Sequence, residues 1–248
     1  MSKPERPVSL DSILQHQGFG TRRACRVLVH QGRVAVDGVV IDDPDATFLT
    51  EGLNFSVDGE PWVARAQVYL VLHKPVEVEV SRKPQHHLSV HALLPGPYNE
   101  RGVQAAGRLD TDTSGILVLS DDGMFVHALT SPKREVAKTY EVTLVHPDDG
   151  DLVHRLRSGV QLRDEDEPTV AHSVVQVAPN RLQLVLTEGK YHQVKRMIAA
   201  AGNRVAWLHR SAIGAFRLPA DLPAGKWREL TPAERESLFA EPPAPRRG

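Results

Sequence analysis

Hydrophobic and polar positions change period along the chain. Leu10, Ile13, Leu14 and Gln17 form the stripe of a short helix, and Gly18-Phe19-Gly20 ends it. Thr21 is placed to cap a second helix, Arg22 to His30, which Gly32 stops. That helix turns Cys25, Leu28 and Val29 inward at i, i+3 and i+4, and sends Arg22, Arg23 and Arg26 largely to the other side. The run Val34-Ala35-Val36-Asp37-Gly38-Val39-Val40-Ile41 predicts a hairpin about an Asp-Gly turn.

Composition shifts once, near Gly59 to Gln67, and the remainder alternates between strand-like and helical segments. Val68 to Leu72 reads as a strand ended by Lys74-Pro75. Gly115 to Leu119 carries four successive apolar residues, as in a strand covered on both faces. After the turn Asp121-Asp122-Gly123, a short helix covers about Met124 to Leu129. Tyr140 to Val145, Arg181 to Thr187 and Val205 to His209 read as strands. Gln193 to Ala201 reads as a helix with Val194, Met197, Ile198 and Ala201 on one face and Gly202 past its end. The order predicts an α+β fold with a substantial sheet and no internal repeat. The expected organisation is a Pro- and charge-rich disordered tail (1–7), a small domain (8–59), a linker (60–67), a larger domain (68–240) and a second disordered tail (241–248).

The chain has 248 residues and a formal net charge of -1. No apolar run approaches the roughly 20 residues that span a bilayer, and the N-terminus lacks the apolar stretch of a secretory signal, so a cytoplasmic protein is expected. The single cysteine, Cys25, rules out an intrachain disulfide and reads as a buried structural thiol. A net charge near zero argues mildly against a nucleic-acid partner, but the basic residues cluster. Lys190, Lys195, Arg196, Arg204, Arg210 and Arg217 occur in a stretch without Asp or Glu, and Arg22, Arg23, Arg26 and Arg33 form a shorter group. Acids gather elsewhere, at Asp42, Asp43 and Asp45 and from Asp164 to Glu167. Charge alone leaves two readings open, a surface for phosphates or two solvated helix faces.

Three stretches carry candidate chemistry: Gly107-Arg108-Leu109-Asp110 with Thr111 to Gly115; Lys138-Thr139-Tyr140; and Glu188 to Arg196. Asp110 lies in a polar loop ahead of a buried strand, where functional side chains are commonly held. Pattern alone equally allows Arg108 and Asp110 to end the strand as a local ion pair. Tyr140 reads unaided as a sheet tyrosine on the core, and Lys195 as a solvated helix lysine.

The stretch TRRACRVLVHQGRVAVDGVVI resembles the core of the S4 RNA-binding domain. AAGRLDTDTSGILVLSDDG resembles the central motif of the pseudouridine synthases, in the branch that modifies ribosomal RNA and carries an N-terminal S4 domain. KTYEV resembles that family's second motif, and EGKYHQVKRMIAAAGNRVAWLHRSAIG its third, in the small-subunit form. The motifs occur in the family's order, over a framework of about Val68 to Leu230. The resemblance implies an S4-like domain followed by a catalytic domain with a mixed, largely antiparallel sheet and flanking helices. It implies isomerisation of uridine to pseudouridine in ribosomal RNA, in 16S ahead of 23S, which the same architecture also serves; free RNA and an assembling subunit both stay open as the substrate, and a monomer is the default expectation. An S4-containing assembly factor without catalysis and a hydrolase attacking C1′ are the readings from other classes; the hydrolase normally needs two carboxylates, and Asp112 and Glu188 stand as untested second acids.

By motif position, the resemblance makes Asp110 the nucleophile, Arg108 the residue that helps displace the uridine, Tyr140 the ring stacked on the flipped base, and Lys195 the cation paired with the aspartate. Arg22, Arg23, Arg26, Arg33, Lys190, Arg196 and Arg210 are the expected RNA contacts. The chemistry moves a bond within one nucleotide, so no cofactor is expected. A metal role for His86, His87 and His91 is not expected either, because suitably spaced partners are missing. One departure concerns the loop after Lys74-Pro75. The family usually has a glycine there, and this chain has Val76 and Glu77, which puts the loop's shape and its tolerance of phosphate in question.

Overall fold

The computed structural model describes residues 6–148 and 150–242. The expected tails fall mostly outside these residues; Arg6, Pro7, Glu241 and Pro242 are described and lie in neither helix nor strand. The chain divides into two compact units. One takes the residues up to Val68 together with Leu94–Gln104 and Ser120–Asp122; the other takes Tyr69–Leu93, Ala105–Leu119 and the chain from Gly123 onward.

The first unit packs α1 (Leu10–His16) and α2 (Arg22–His30) on a four-stranded antiparallel sheet of β1 (Val34–Val36), β2 (Val39–Val40), β3 (Asn54–Val57) and β4 (Glu60–Val63), in the order β2-β1-β3-β4. Thr21 caps α2 by accepting the Ala24 amide at 3.2 Å, and the Asp37-Gly38 turn has both residues in the left-handed region, as a tight hairpin needs. Leu10, Ile13, Leu14, Cys25, Val29, Val34 and Phe55 close the core. Burial raises the Cys25 thiol pKa to about 11, with Asp11 adding to it, as suits an inert structural thiol.

The stretch 60–67, read from the sequence as a linker, begins as strand β4. Its Trp62 meets Phe19 and Tyr98 edge-on, and Tyr98 belongs to α3 (Gly96–Glu100), a short helix absent from the sequence reading. Arg101 ends that helix. Its guanidinium is buried, pairs with Asp121 at 2.6 Å and donates to Gln17 Oε1 at 2.6 Å. The small unit is therefore completed by residues from far along the chain.

The second unit is built on a mixed sheet whose main path is β10-β11-β9-β12-β8-β5-β13. These are β5 (Tyr69–Lys74), β8 (Thr113–Ser120), β9 (Lys138–Leu144), β10 (Ser173–Ala178), β11 (Arg181–Leu186), β12 (Val205–Ile213) and β13 (Trp227–Glu229); β6 (Val78–Glu79) and β7 (Leu88–Ser89) pair separately. β8 runs parallel to β12, while β9–β11, β9–β12, β10–β11 and β5–β13 are antiparallel, as the resemblance implies. Helices α5 (Asp151–Ser158) and α6 (Gln193–Ala200) cover one half of the sheet through Leu152, Leu156, Val194, Met197 and Ile198. Helix α4 (Gly123–Thr130) and Leu238, just after α7 (Pro232–Ser237), cover the other through Leu129, Ile116, Val118 and Ile213.

Where β8 meets β12, Gly115 stands opposite Arg210, and Arg210 stands opposite Tyr140 of β9. A Cβ on Gly115 would lie 2.2 Å from the Arg210 carbonyl oxygen and 2.6 Å from its nitrogen, and the glycine holds φ +119°. Only glycine permits this approach. Gly115→Ala is expected to destabilise the protein by about 3 kcal/mol or more, since the obstacle is backbone. A thermal melt of the variant checks this, and an unchanged midpoint would refute it.

Candidate active site

The loop 107–112 joins the buried strand β8 through a short turn, in which the Thr113 amide donates to the Asp110 carbonyl at 3.0 Å. Beneath it lies Lys74, the last residue of β5 and fully buried. Its Nζ donates to the carbonyls of Pro75 (2.9 Å), Asp110 (3.0 Å), Thr113 (2.9 Å) and, more loosely, Thr111 (3.4 Å). A buried ammonium must find acceptors, and those it has among the described residues are main-chain oxygens of two adjoining loops. Burial lowers its pKa to about 8 against the opposing pull of Asp110 and Asp112. The backbone of the Asp110 loop is thus fixed from below. The sequence reading missed Lys74; a lysine closing an apolar strand was the signal for it.

The departure after Lys74-Pro75 resolves in the same place. Glu77 holds φ +61°, the left-handed conformation for which glycine is the usual residue, and its amide donates to the Thr111 carbonyl at 2.8 Å. The loop keeps a glycine-like path although the residue is glutamate.

Helix α6 supplies the partners of the Asp110 side chain. Lys195 Nζ lies 3.0 Å from Asp110 Oδ2, and His192 Nε2 lies 3.2 Å from Asp110 Oδ1. Both carboxylate oxygens are therefore engaged. Lys195 also contacts Asp112 at 2.5 Å, but the Asp112 side chain is 72 % exposed against 27 % for Asp110. Partial burial lowers the Lys195 pKa less than the hydrogen bonds of Asp112 and Asp110 raise it, so it lies above the ordinary lysine value. Burial likewise raises the Asp112 pKa less than Lys195 lowers it. His192 reaches Asp110 from a left-handed backbone (φ +46°) at the helix N-cap. Gln193 fixes that turn: buried, it donates to Glu188 at 2.6 Å and accepts the Lys190 amide at 2.9 Å. Tyr191 is exposed and stacks on His192 with ring centroids 3.8 Å apart.

A pocket opens beside this carboxylate, lined among others by Arg108, Lys138, Tyr140, Leu208 and Arg210. Lys138 and Tyr140 project from the same face of β9, two residues apart. Burial, and then the nearby Arg210, push the Lys138 pKa down to about 8; its Nζ donates to the Val136 carbonyl at 2.8 Å.

Asp110, Arg108, Tyr140 and Lys195 thus come together, as the motif positions imply. Arg108 is exposed at the pocket, and the local Arg108–Asp110 ion pair is not formed, because Lys195 and His192 take both carboxylate oxygens. Several expected RNA contacts stand differently. Arg210 is buried, and its Nε and Nη2 donate to the Ile116 carbonyl at 3.0 and 2.8 Å, so it floors the pocket instead of facing phosphate. The separation of basic and acidic stretches along the sequence is partly lost on folding, although Arg204 and Arg217 stay exposed. Lys190 pairs with Glu165 at 3.1 Å and Glu188 at 3.4 Å, and Arg196 lies 3.6 Å from Asp164. Arg22 and Arg26 grip the buried Asp11, Arg26 also pairs with Asp45, and Arg33 pairs with Asp58. Burial raises the Asp11 pKa, but these arginines and Ser9 outweigh it and hold the carboxyl far below its usual range. Arg23 is exposed and makes no ion pair among the described residues.

Residues 68–200 match the family described as RNA pseudouridylate synthase, and residues 8–49 match the S4 domain. The chain belongs to the RNA pseudouridylate synthase family. Its relatives include the ribosomal small subunit pseudouridine synthase A of Yersinia pestis, 38% identical over 232 residues, with 93% of this chain and 98% of the relative covered. The protein of the same name from Escherichia coli (strain K12) is 36% identical over 230 residues, covering 92% and 99%. A solved structure described as "Crystal structure of pseudouridylate synthase" superposes with a TM-score of 0.66 at 32% identity, covering 93% of this chain and 99% of that one.

Lys74→Met would remove the ammonium that these four carbonyls share. The expected outcome is a loss of about 3 kcal/mol of stability and, through displacement of Asp110, about 100-fold in turnover. Denaturant melts and single-turnover rates at low temperature check the two parts. A variant that melts early yet turns over normally would show that Lys74 does not position Asp110.

Proposed function

We propose that this protein converts a uridine of small-subunit (16S) ribosomal RNA to pseudouridine, with Asp110 as the nucleophile. The observation that carries the reading is the Asp110 carboxylate held by Lys195 and His192 beside the pocket that Tyr140 lines. The choice of RNA follows the relatives, whose names specify the ribosomal small subunit and which align over nearly the whole chain. The reading has a monomer acting in the cytoplasm on free rRNA or an assembling subunit; among the described residues no helix is long and apolar enough to cross a membrane.

The reaction breaks N1–C1′, turns the base and forms C5–C1′. The proton on C5 is lost and N1 gains one, so atoms and electrons balance without oxidant, reductant or cofactor. A carboxylate offers about four lone-pair sites, so Asp110 can attack while its two cationic or donor neighbours stay in place. Lys195 places a positive charge 3.0 Å from the carboxylate in a site that loses water when RNA binds. Tyr140 presents a flat face to an extruded uracil, and Arg108, at the pocket and without an ion pair among the described residues, is placed to occupy the gap in the helix.

Release of tritium from small-subunit rRNA carrying uridine tritiated at C5 measures the reaction. Asp110→Asn is expected to lower the rate by about 10⁴-fold or more while rRNA binding persists; retained turnover would refute the nucleophile. Lys195→Ala should lose about 100-fold. Tyr140→Ala should lose about tenfold or more, and Tyr140→Phe, which keeps the stacking face, less. Equal losses for the two tyrosine variants would assign the role to the hydroxyl.

A further inference from the structure

We propose that Lys138, with Arg210 beside it, stabilises the negative charge that collects on the uracil ring while the base is detached from its sugar. This rests on the reaction proposed above and adds a catalytic residue to it.

Two lysines of this unit are withdrawn from water, and the protein solvates them differently. Lys74 is fully buried and has four main-chain carbonyls in reach. Lys138 is partly buried, and the one acceptor it has among the described residues is the Val136 carbonyl at 2.8 Å. An ammonium carries three N–H donors. One is taken, and the others are left to the pocket that Lys138 lines with Asp110 and Tyr140. Burial and then Arg210 lower its pKa only to about 8, so the group is an ammonium at neutral pH.

Arg210 lines the same pocket and is 3 % exposed. Its Nε and Nη2 donate to the Ile116 carbonyl, and its Nη1 makes no hydrogen bond among the described residues. Neither cation is paired with a carboxylate among those residues, because Asp110 is held by Lys195 and His192. The pocket therefore carries two neighbouring positive charges and spare donors, an arrangement that is costly empty and favourable around an anion.

The reaction supplies that anion. As an Asp110 oxygen bonds to C1′, the N1–C1′ electron pair leaves with the base, and uracil carries a negative charge shared among N1, O2 and O4. C5 of the anion then attacks C1′ and releases the carboxylate; the C5 proton is lost and N1 takes one up. The charge exists only between these two bond changes. Donors fixed in advance thus favour the charged species over bound uridine, and that difference speeds the reaction. Lys138 stands two residues before Tyr140 on the same face of β9, so its ammonium is a neighbour of a ring stacked on that tyrosine.

The test uses the full-length chain in single turnover on small-subunit rRNA transcripts containing either uridine or 5-fluorouridine, read as nucleosides after nuclease digestion. Fluorine makes the departing base a more stable anion, which needs less help. K138Q should lose about 100-fold on uridine but only about tenfold or less on 5-fluorouridine. K138R keeps the charge and should recover most of the uridine rate. A lysine with a merely structural role, or a folding defect, lowers both substrates by the same factor; that result, or wild-type rates in K138Q, would overturn the proposal. A second readout needs no turnover: binding of barbiturate, a uracil analogue that is anionic at neutral pH, against uracil itself, followed by NMR titration. Wild type should prefer barbiturate by about tenfold or more, and K138Q should lose the preference. No preference in wild type, or the same preference in K138Q, would also overturn it. If wild type leaves the rRNA unconverted yet shows a preference that depends on Lys138, the proposed reaction fails and the anion site stands.

Discussion

An ammonium group cut off from solvent has to be solvated by the protein, and at Lys74 main-chain carbonyls from two loops do so. The consequence reaches beyond that residue. The carbonyl of Asp110 is one of the acceptors, so the backbone carrying the carboxylate cannot shift without stranding a buried charge. Glu77 adds a second tie through Thr111, from a backbone conformation that a side chain seldom takes. The side chain is then fixed from the opposite direction, by Lys195 and His192 on a helix whose apolar face is locked into the core by Met197 and Ile198. Backbone from below and carboxylate from above are held by independent elements, which is the positioning a nucleophile needs.

Much of this was legible in the sequence. The helix pair and Asp-Gly hairpin near the N-terminus, the buried strand after Asp110, and the helix bearing Val194, Met197 and Ile198 all follow from period and punctuation. Helix α3 escaped notice because Gly96-Pro97-Tyr98-Asn99-Glu100 has no apolar period; it exists because Tyr98 and Arg101 dock onto the small unit, a tertiary cause. Strand β4 was hidden by Pro61 and by the position of Trp62 on a sheet edge. The meeting of Asp110 with Lys195 came from motif resemblance alone, since no local pattern brings residues so distant in sequence together.

Charge was the least legible property. Basic and acidic blocks that lie far apart in sequence fold onto each other: Lys190 onto Glu165, Arg26 onto Asp45, Arg33 onto Asp58. Arg210 shows the same limit in another form, since a strand's alternation says which face a side chain takes but not that a carbonyl, that of Ile116, waits under it. The near-neutral net charge is therefore distributed partly as satisfied pairs, while other cations, Arg23, Arg204 and Arg217 among them, are exposed and make no ion pair among the described residues; RNA affinity can come from these or from exchange of carboxylate for phosphate on the paired ones.

The proposed isomerisation of one uridine of small-subunit rRNA through Asp110 can be read in the cell. Carbodiimide-stopped primer extension on rRNA from cells lacking the gene, and from the same cells carrying either the wild-type or the Asp110→Asn gene, tests it most directly. The expected result is one pseudouridine missing from small-subunit rRNA in the deletion, restored by wild type and not by the variant. Restoration by the variant, or a change confined to large-subunit rRNA, or no change at any site, would contradict it.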